Sequence, residues 1–292
     1  MSKKSFYPAL GTPTNLDGTL NVDSFNKQVE LMIESGAQGV LCLGSMGKMA
    51  TIKNTEYPKI VAQCCSSVNN KVPIMVGVMD CSIDRVLDRI EALDNAQIDG
   101  VVATLPFYNK LNDNEIVTFF TVLAKETKYP IYIYDLPVVT QSSININHLK
   151  SLISNSNIRG IKTGNLHLIQ EIHRHKLTNY NQLFSVFYSN LDLFDIALKL
   201  GINKNLDGMF TCTPYNSKEM YKTGNSDAVN LNHLINILRL RDLFIKENVL
   251  SAYSYAMKLL QCPGNYHPDY ALPISENLKE NIEVLMKEIG EI

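Results

Sequence analysis

Val72-Pro73-Ile74-Met75-Val76-Gly77-Val78 carries no polar side chain. A strand with one face in water alternates apolar and polar residues. A strand apolar on both faces is one covered on both sides, as in a parallel sheet flanked by helices. Working outward from this run (Pro73–Met79 as a strand), similar short stretches recur at Phe6–Leu10, Gly39–Leu43, Gly100–Leu105, Pro130–Tyr134, Ile158–Lys162, Leu183–Phe187 and Gly208–Cys212. Helical patterns lie between them. Val22–Ser35 places Val29, Met32 and Ile33 on one face, with Asp23 near its start as the expected cap. Ile83–Ala96, Asn114–Thr127, Leu166–Leu177 and Leu191–Leu200 read the same way. Strands alternating with helices predict an α/β fold with a parallel sheet. Eight such units predict a (β/α)8 TIM barrel. A doubly wound open sheet is the alternative, but the first strand runs into Gly11-Thr12-Pro13-Thr14 rather than a G-x-G-x-x-G phosphate loop.

Beyond residue 215 the strand pattern stops. Leu231–Lys246, Leu250–Leu260 and Ser275–Ile289 read as helices, with Pro263-Gly264 and Pro268 separating the last two. The expected division is a barrel over 1–215 and a helical extension over 216–292, packed on it. No long flexible linker is expected between 215 and 230.

A chain of 292 residues with 45% hydrophobic and 19% charged content is ordinary for a globular protein. A net charge of -2 without runs of like charge argues against nucleic acid or an anionic membrane as partner. Met1-Ser2-Lys3-Lys4-Ser5 leads into no long apolar stretch, so neither a secretory leader nor a membrane span is expected. The six cysteines (42, 64, 65, 81, 212 and 262) form no C-x-x-C pair. They are expected to be reduced thiols of a cytoplasmic protein rather than zinc ligands. The histidines add no ligand set: His173 and His175 are two apart in a helical pattern and face different directions.

In a barrel of this kind chemistry sits at the C-terminal ends of the strands. Those positions read Gly44-Ser45-Met46-Gly47, Pro106-Phe107-Tyr108-Asn109, Tyr134-Asp135-Leu136-Pro137 and Lys162-Thr163-Gly164. A lysine pointing into the mouth of a barrel is partly desolvated, which disfavours the charged form of an amine. The neutral amine is the form that attacks a ketone to make a Schiff base. That step needs a proton delivered to the carbinolamine oxygen so that water can leave. A phenol beside the lysine supplies it, and a serine with a second tyrosine can relay it to solvent. Taken singly, the lysine reads more often as a solvated surface residue, Tyr134 as a half-buried packing residue and Ser45 as a turn residue; their shared position at one mouth is what favours chemistry.

These segments resemble the dihydrodipicolinate synthase / N-acetylneuraminate lyase family of class I aldolases, and the resemblance spans nearly the whole chain. Thr12-Pro13, Asp17-Gly18 and Asp23 are similar to its opening. Gly44-Ser45-Met46-Gly47-Lys48 resembles its G-[TS]-T-G-E loop, and Pro106-Phe107-Tyr108 its P-[FY]-Y segment. Tyr134-Asp135-Leu136-Pro137 resembles Y-N-x-P, Gly160-Ile161-Lys162 resembles G-[IV]-K, and Leu272-Pro273-Ile274 a proline-containing stretch near the C-terminus. The resemblance implies that Lys162 forms an imine with a 2-keto acid such as pyruvate and that Tyr134 is the acid/base phenol. It places Ser45 at the relay hydroxyl and Tyr108 at a relay tyrosine that reaches in from a neighbouring subunit. Gly44, Ser45, Met46, Gly47 and Thr163 fall where substrate is bound. The implied assembly is a homotetramer built as a dimer of dimers, without metal or cofactor, and the second substrate is an aldehyde.

The departures bear on that aldehyde. Met46 replaces a hydroxyl that helps hold the keto-acid carboxylate, although backbone N–H groups around Ser45–Gly47 can still bind it. Lys48 reverses a charge, Asp135 replaces an asparagine, and the segment after Lys162 is about two residues short. Val139 stands where dihydrodipicolinate synthases place an arginine for the aldehyde's carboxylate. The leading expectation is a Schiff-base aldolase or lyase. The alternatives are dihydrodipicolinate synthase, then N-acetylneuraminate lyase, and from another class a non-catalytic sensor of a small carbonyl compound.

Overall fold

Eight short strands carry the barrel in the computed structural model, which describes residues 4–93, 95–222 and 229–292. They are β1 (Ser5–Pro8), β2 (Val40–Cys42), β3 (Ile74–Gly77), β4 (Gly100–Thr104), β5 (Ile131–Asp135), β6 (Ile158–Thr163), β7 (Ser185–Tyr188) and β8 (Lys204–Asp207). Part of the N-terminal stretch (residues 1–3), position 94 of the expected Ile83–Ala96 helix and residues 223–228 of the expected join lie outside the described residues. All pairings are parallel, in the order β1-β8-β7-β6-β5-β4-β3-β2. The ring closes where the Leu10 N–H donates to the Leu41 carbonyl at 2.9 Å, beside an Ala9–Leu41 bridge. β2, β3 and β4 are buried at every position, as their two-sided apolar sequences predict. No helix among the described residues is long and apolar enough to cross a membrane.

The eighth strand is not where the apolar pattern placed it. Gly208–Cys212 was the expected strand, but Met209–Cys212 is a turn of 3₁₀ helix, wholly buried. Phe210 packs edge-on against Phe6 with centroids 5.2 Å apart, and the Thr211 hydroxyl lies 2.6 Å from the Tyr253 hydroxyl. The true strand, Lys204-Asn205-Leu206-Asp207, is mostly polar. Its register against Ser5–Pro8 of β1 is fixed by backbone pairing, and the Lys204 amine donates to the Ser185 hydroxyl at 2.8 Å. Hydrophobicity reports burial, and here the buried segment is the turn beneath the mouth rather than the strand.

Helix boundaries follow their caps. Val22–Glu34 starts at Asn21, whose side chain accepts from the Ser24 N–H at 3.1 Å. Asp23 is therefore not the cap; it sits in the first turn, where its charge favours the positive end of the helix dipole. Asp113–Glu126 starts with a capping box between Asn112 and Glu115. The expected Leu191–Leu200 helix divides into a 3₁₀ turn, Leu191–Leu193, and a short helix, Phe194–Lys199. Helices at Tyr57–Val68, Ile146–Leu152 and Pro214–Tyr221 complete the alternation. The C-terminal helices Leu231–Phe244, Val249–Leu259 and Glu276–Glu288 tie back to the barrel through polar contacts. Tyr253 donates to Gln28 at 3.2 Å, and Gln28 in turn grips both backbone groups of Gly11 at 2.8 and 2.9 Å. All six cysteines are unbridged.

Candidate active site

Two neighbouring strands put an amine against a phenol ring. β5 and β6 pair so that Tyr134 lies level with Lys162, and Lys162 lies level with Phe187 on β7. Register partners in a parallel sheet share a face, so these three side chains project to the same side. Lys162 is 7% exposed and Tyr134 6%. The Lys162 Nζ sits 3.6 Å from the Tyr134 ring centroid, over its electron-rich face. Gly160 makes this possible: a Cβ there would stand 2.4 Å from the Ser185 carbonyl oxygen and 2.8 Å from the Tyr132 ring. Tyr132 therefore fits below Tyr134, edge-on to Phe187 at 5.8 Å, while Tyr7 meets Phe187 at 4.9 Å. These rings form an apolar floor below the lysine.

The next residues along the two strands point the other way and are spent on structure. The Thr163 hydroxyl donates to the Asp135 carboxylate at 2.8 Å and accepts from the Asn165 N–H at 3.0 Å. Asp135 also accepts from the Ile144 N–H at 3.0 Å. Burial raises the Asp135 carboxyl above its usual range, and these hydrogen bonds pull it back. The Thr163 side chain is fully buried and braces the strand end.

After β2 the chain makes a tight loop. Leu43 and Lys48 both adopt left-handed backbone conformations, φ 56° and 57°, which are costly for non-glycine residues and mark functional turns. The Lys48 N–H donates to the Ser45 carbonyl at 3.2 Å and the Met49 N–H to Gly44 at 3.3 Å. Among the described residues the N–H groups of Ser45, Met46 and Gly47 donate to no protein acceptor, leaving three donors on one turn. Thr12 fixes the turn from below by donating to the Gly47 carbonyl at 2.8 Å. Lys48 points away into the protein, donating to the Thr14 hydroxyl at 2.8 Å and the Asn265 carbonyl at 2.6 Å.

Ser45 is exposed on this loop, and Tyr108 is 80% exposed after β4. Among the described residues no hydrogen bond joins the hydroxyls of Tyr134, Ser45 and Tyr108 within one chain. Val139 lies in the short helix Pro137–Thr140, half exposed. One polar residue near the mouth went unread in the sequence. Asp207, at the end of β8, shares the face of Asn205, which pairs with Tyr188 and through it with Thr163, so it points away from Lys162. The misplaced eighth strand hid it, because a strand over 208–212 leaves position 207 in the preceding loop.

A family model, the Dihydrodipicolinate synthetase family, matches residues 2–289. The chain belongs to that family. It is 25% identical over 297 residues to a 4-hydroxy-tetrahydrodipicolinate synthase from Methanosphaera stadtmanae, covering 99% of this chain and 98% of the relative. A second such synthase, from Bartonella bacilliformis, is 30% identical over 171 residues, which is 58% of each chain. Among solved structures, a prophage protein of the dihydrodipicolinic acid synthase family from E. coli K12, in complex with pyruvate, superposes with a TM-score of 0.88 at 20% identity over 98% of both chains. The Acinetobacter baumannii dihydrodipicolinate synthase complexed with pyruvate gives 0.87 at 20% identity over the full length of both. At that identity the likeness shows the (β/α)8 fold. Dihydrodipicolinate synthetase family members are lyases and synthases.

Proposed function

We propose that this protein is a Schiff-base aldolase or lyase in which the Lys162 amine condenses with a 2-keto acid of the pyruvate type. The observation that carries this reading is Lys162 itself: a buried amine at a strand end, over the Tyr134 ring and, among the described residues, with no carboxylate in ion-pair contact. Its lone pair adds to the ketone carbon, giving a carbinolamine. Protonation of that hydroxyl expels water and leaves an imine. The imine withdraws electrons from the adjacent carbon, whose proton can then leave to give an enamine. Attack of the enamine on an aldehyde makes the new carbon–carbon bond, and hydrolysis returns the amine. Tyr134 is the acid and base for these transfers. The unused N–H groups of Ser45, Met46 and Gly47 suit the keto-acid carboxylate, with Gly44 setting the turn. Met46 leaves that carboxylate without the usual hydroxyl partner.

The exposure of Tyr108 supports a role toward a neighbouring subunit, with Ser45 between it and Tyr134, and hence a homotetramer built as a dimer of dimers. A fully active monomer in sedimentation at assay concentration argues against it. Val139 offers no donor to a second carboxylate, so turnover with aspartate semialdehyde should be poor beside neutral aldehydes. The deciding experiment is borohydride reduction in the presence of pyruvate, followed by peptide mass analysis. Label on Lys162 is expected; label elsewhere with Lys162 unmodified overturns the reading.

A further inference from the structure

The face of the sheet that carries Lys162 continues above the lysine, on residues that the chemistry above leaves without a task. β6 and β7 pair Lys162 with Phe187 and Thr163 with Tyr188. The Ser189 N–H then donates to the Thr163 carbonyl at 3.1 Å, so the ladder runs one residue further and sets Ser189 level with Gly164. Two residues along a strand return to the same face, so Gly164 and Ser189 lie above Lys162 and Phe187 on the lysine's side. β7 meets β8 at Tyr188 and Asn205, which puts the following residue, Leu206, on that side too. Leu206 is fully buried. Beyond it a Cβ on Gly208 would lie 2.7 Å from the Met46 terminal methyl, so the wall next to Ser189 is apolar. Ser189 itself is half-buried, and among the described residues no hydrogen bond uses its hydroxyl. Gly164 is exposed, and a Cβ on it would meet nothing nearer than 3.6 Å, with the Ser189 hydroxyl oxygen 3.9 Å away. The missing side chain at 164 opens the space over the lysine, and the Ser189 hydroxyl borders that opening. The chain beyond is held in place, because the Asn190 side chain accepts from the Asp192 N–H at 3.1 Å and caps the turn Leu191–Leu193.

We propose that Ser189 determines specificity for the second substrate by hydrogen-bonding a hydroxyl of a neutral hydroxyaldehyde. This rests on the Schiff-base reading of Lys162 and adds the class of electrophile. The Ser45–Gly47 turn is assigned to the keto acid's carboxylate, which leaves the opening over Gly164 for the aldehyde. Gly164, Ser189, Leu206 and Gly208 carry no charge, and Ser189 alone of the four has a polar side chain. A serine hydroxyl both donates and accepts, as a substrate hydroxyl does, so the two pair without a charge on either. An aldehyde bearing a carboxylate would find one neutral donor here in place of a guanidinium, too little to offset the loss of its hydration.

The experiment compares full-length native protein with Ser189→Ala, which removes the hydroxyl, and Ser189→Thr, which keeps it. Separate samples of each are labelled with pyruvate and borohydride, or assayed with pyruvate plus glyceraldehyde and with pyruvate plus propionaldehyde. Propionaldehyde has the same three carbons and no hydroxyl. The quantity read is the ratio of kcat/KM for glyceraldehyde over propionaldehyde; the aldehydes' own reactivities cancel when a variant's ratio is divided by the native one. Lys162 labelling should persist in all three proteins. The ratio should fall about threefold or more in Ser189→Ala, the size of one neutral hydrogen bond, and by less than that in Ser189→Thr. A smaller fall in the alanine variant, with labelling intact, overturns the Ser189 assignment alone. An equal fall in the threonine variant overturns it too, since the hydroxyl is then not what is recognised. Native protein that labels but does not turn over glyceraldehyde also overturns it. Loss of labelling in Ser189→Ala shows that Ser189 serves the lysine instead, and again overturns it. Native protein that pyruvate fails to label removes the Schiff-base reading and this inference with it.

Discussion

Lys162 at the end of β6 and Lys48 in the loop after β2 are equally buried, each 7% exposed, yet their surroundings differ in kind. Lys48 spends its amine on the Thr14 hydroxyl and the Asn265 carbonyl, joining the loop to the N-terminal segment and the C-terminal extension. Lys162 has an aromatic face beneath it and, among the described residues, no carboxylate in ion-pair contact. Burial therefore does not make a lysine reactive; on the Schiff-base proposal the amine must also be unspent. The contrast supports Lys162 as the reactive amine of that proposal and Lys48 as a structural one, and it can be broken by exchanging their fates.

The largest effect is expected at Lys162. Lys162→Ala should abolish both the pyruvate-dependent mass label and turnover, because no other described lysine combines a strand end with an unspent amine. Residual labelled product from the alanine variant would move the reactive amine elsewhere and undo the contrast. Tyr134→Phe comes next. It keeps the ring under the Lys162 amine and removes only the phenolic proton, so folding should survive while kcat falls about 10²- to 10⁴-fold. An unchanged kcat would show that the ring, not the hydroxyl, is what Lys162 needs.

How far these assignments were legible in the sequence depends on whether the partner is local. Gly160-Ile161-Lys162 could be read because glycine, strand and lysine lie within three residues and the chemistry of a strand-end amine is general. The seven strands whose sequences are apolar were placed to within a few residues. β8 was missed because Lys204, Asn205 and Asp207 look like a loop; their burial is decided by β1, nearly 200 residues earlier, through pairs such as Ser5 with Lys204. Asp207 was lost with it. Lys48 was visible as a charge reversal, but its acceptor Asn265 belongs to the extension, and no local pattern announces that contact. Thr163 follows Lys162 in the sequence, and the strand's two-residue period turns its side chain to the other face.

Lys48→Met tests the architectural side of the contrast. The acceptors it abandons are not orphaned, since Thr14 itself donates to the Asn265 carbonyl through both its hydroxyl (3.0 Å) and its N–H (3.1 Å). Above about pH 10.4, where Lys48 is neutral in both states, the loss of stability should therefore be about 1 kcal/mol, the net value of an ordinary hydrogen bond. Pyruvate-dependent labelling of Lys162 should persist. A variant that folds, melts like the native protein and no longer labels would place Lys48 in the chemistry after all.

The last test is the pH dependence that Lys48 imposes on stability. Burial pushes its ammonium down to about 8, with the Asp269 carboxylate opposing that fall. In the unfolded chain a lysine titrates at about 10.4. Below about pH 8 both states are protonated at Lys48, and the folded state bears the full cost of a buried charge. From about 8 to 10.4 the unfolded chain holds a proton that the folded chain has released, so stability rises with pH across this window. Above it both states are neutral and the cost is gone. The neutral amine retains two hydrogens, enough for Thr14 and Asn265, so the architecture persists through the titration. Lys48→Met lacks this titration, whereas most other groups cancel between the two proteins. The stability of native protein relative to Lys48→Met, followed by denaturant unfolding, should therefore increase between pH 8 and pH 10.4. A difference that shrinks over that range would mean that the site stabilises the ammonium, and that Lys48 is held by charge rather than by its two neutral acceptors.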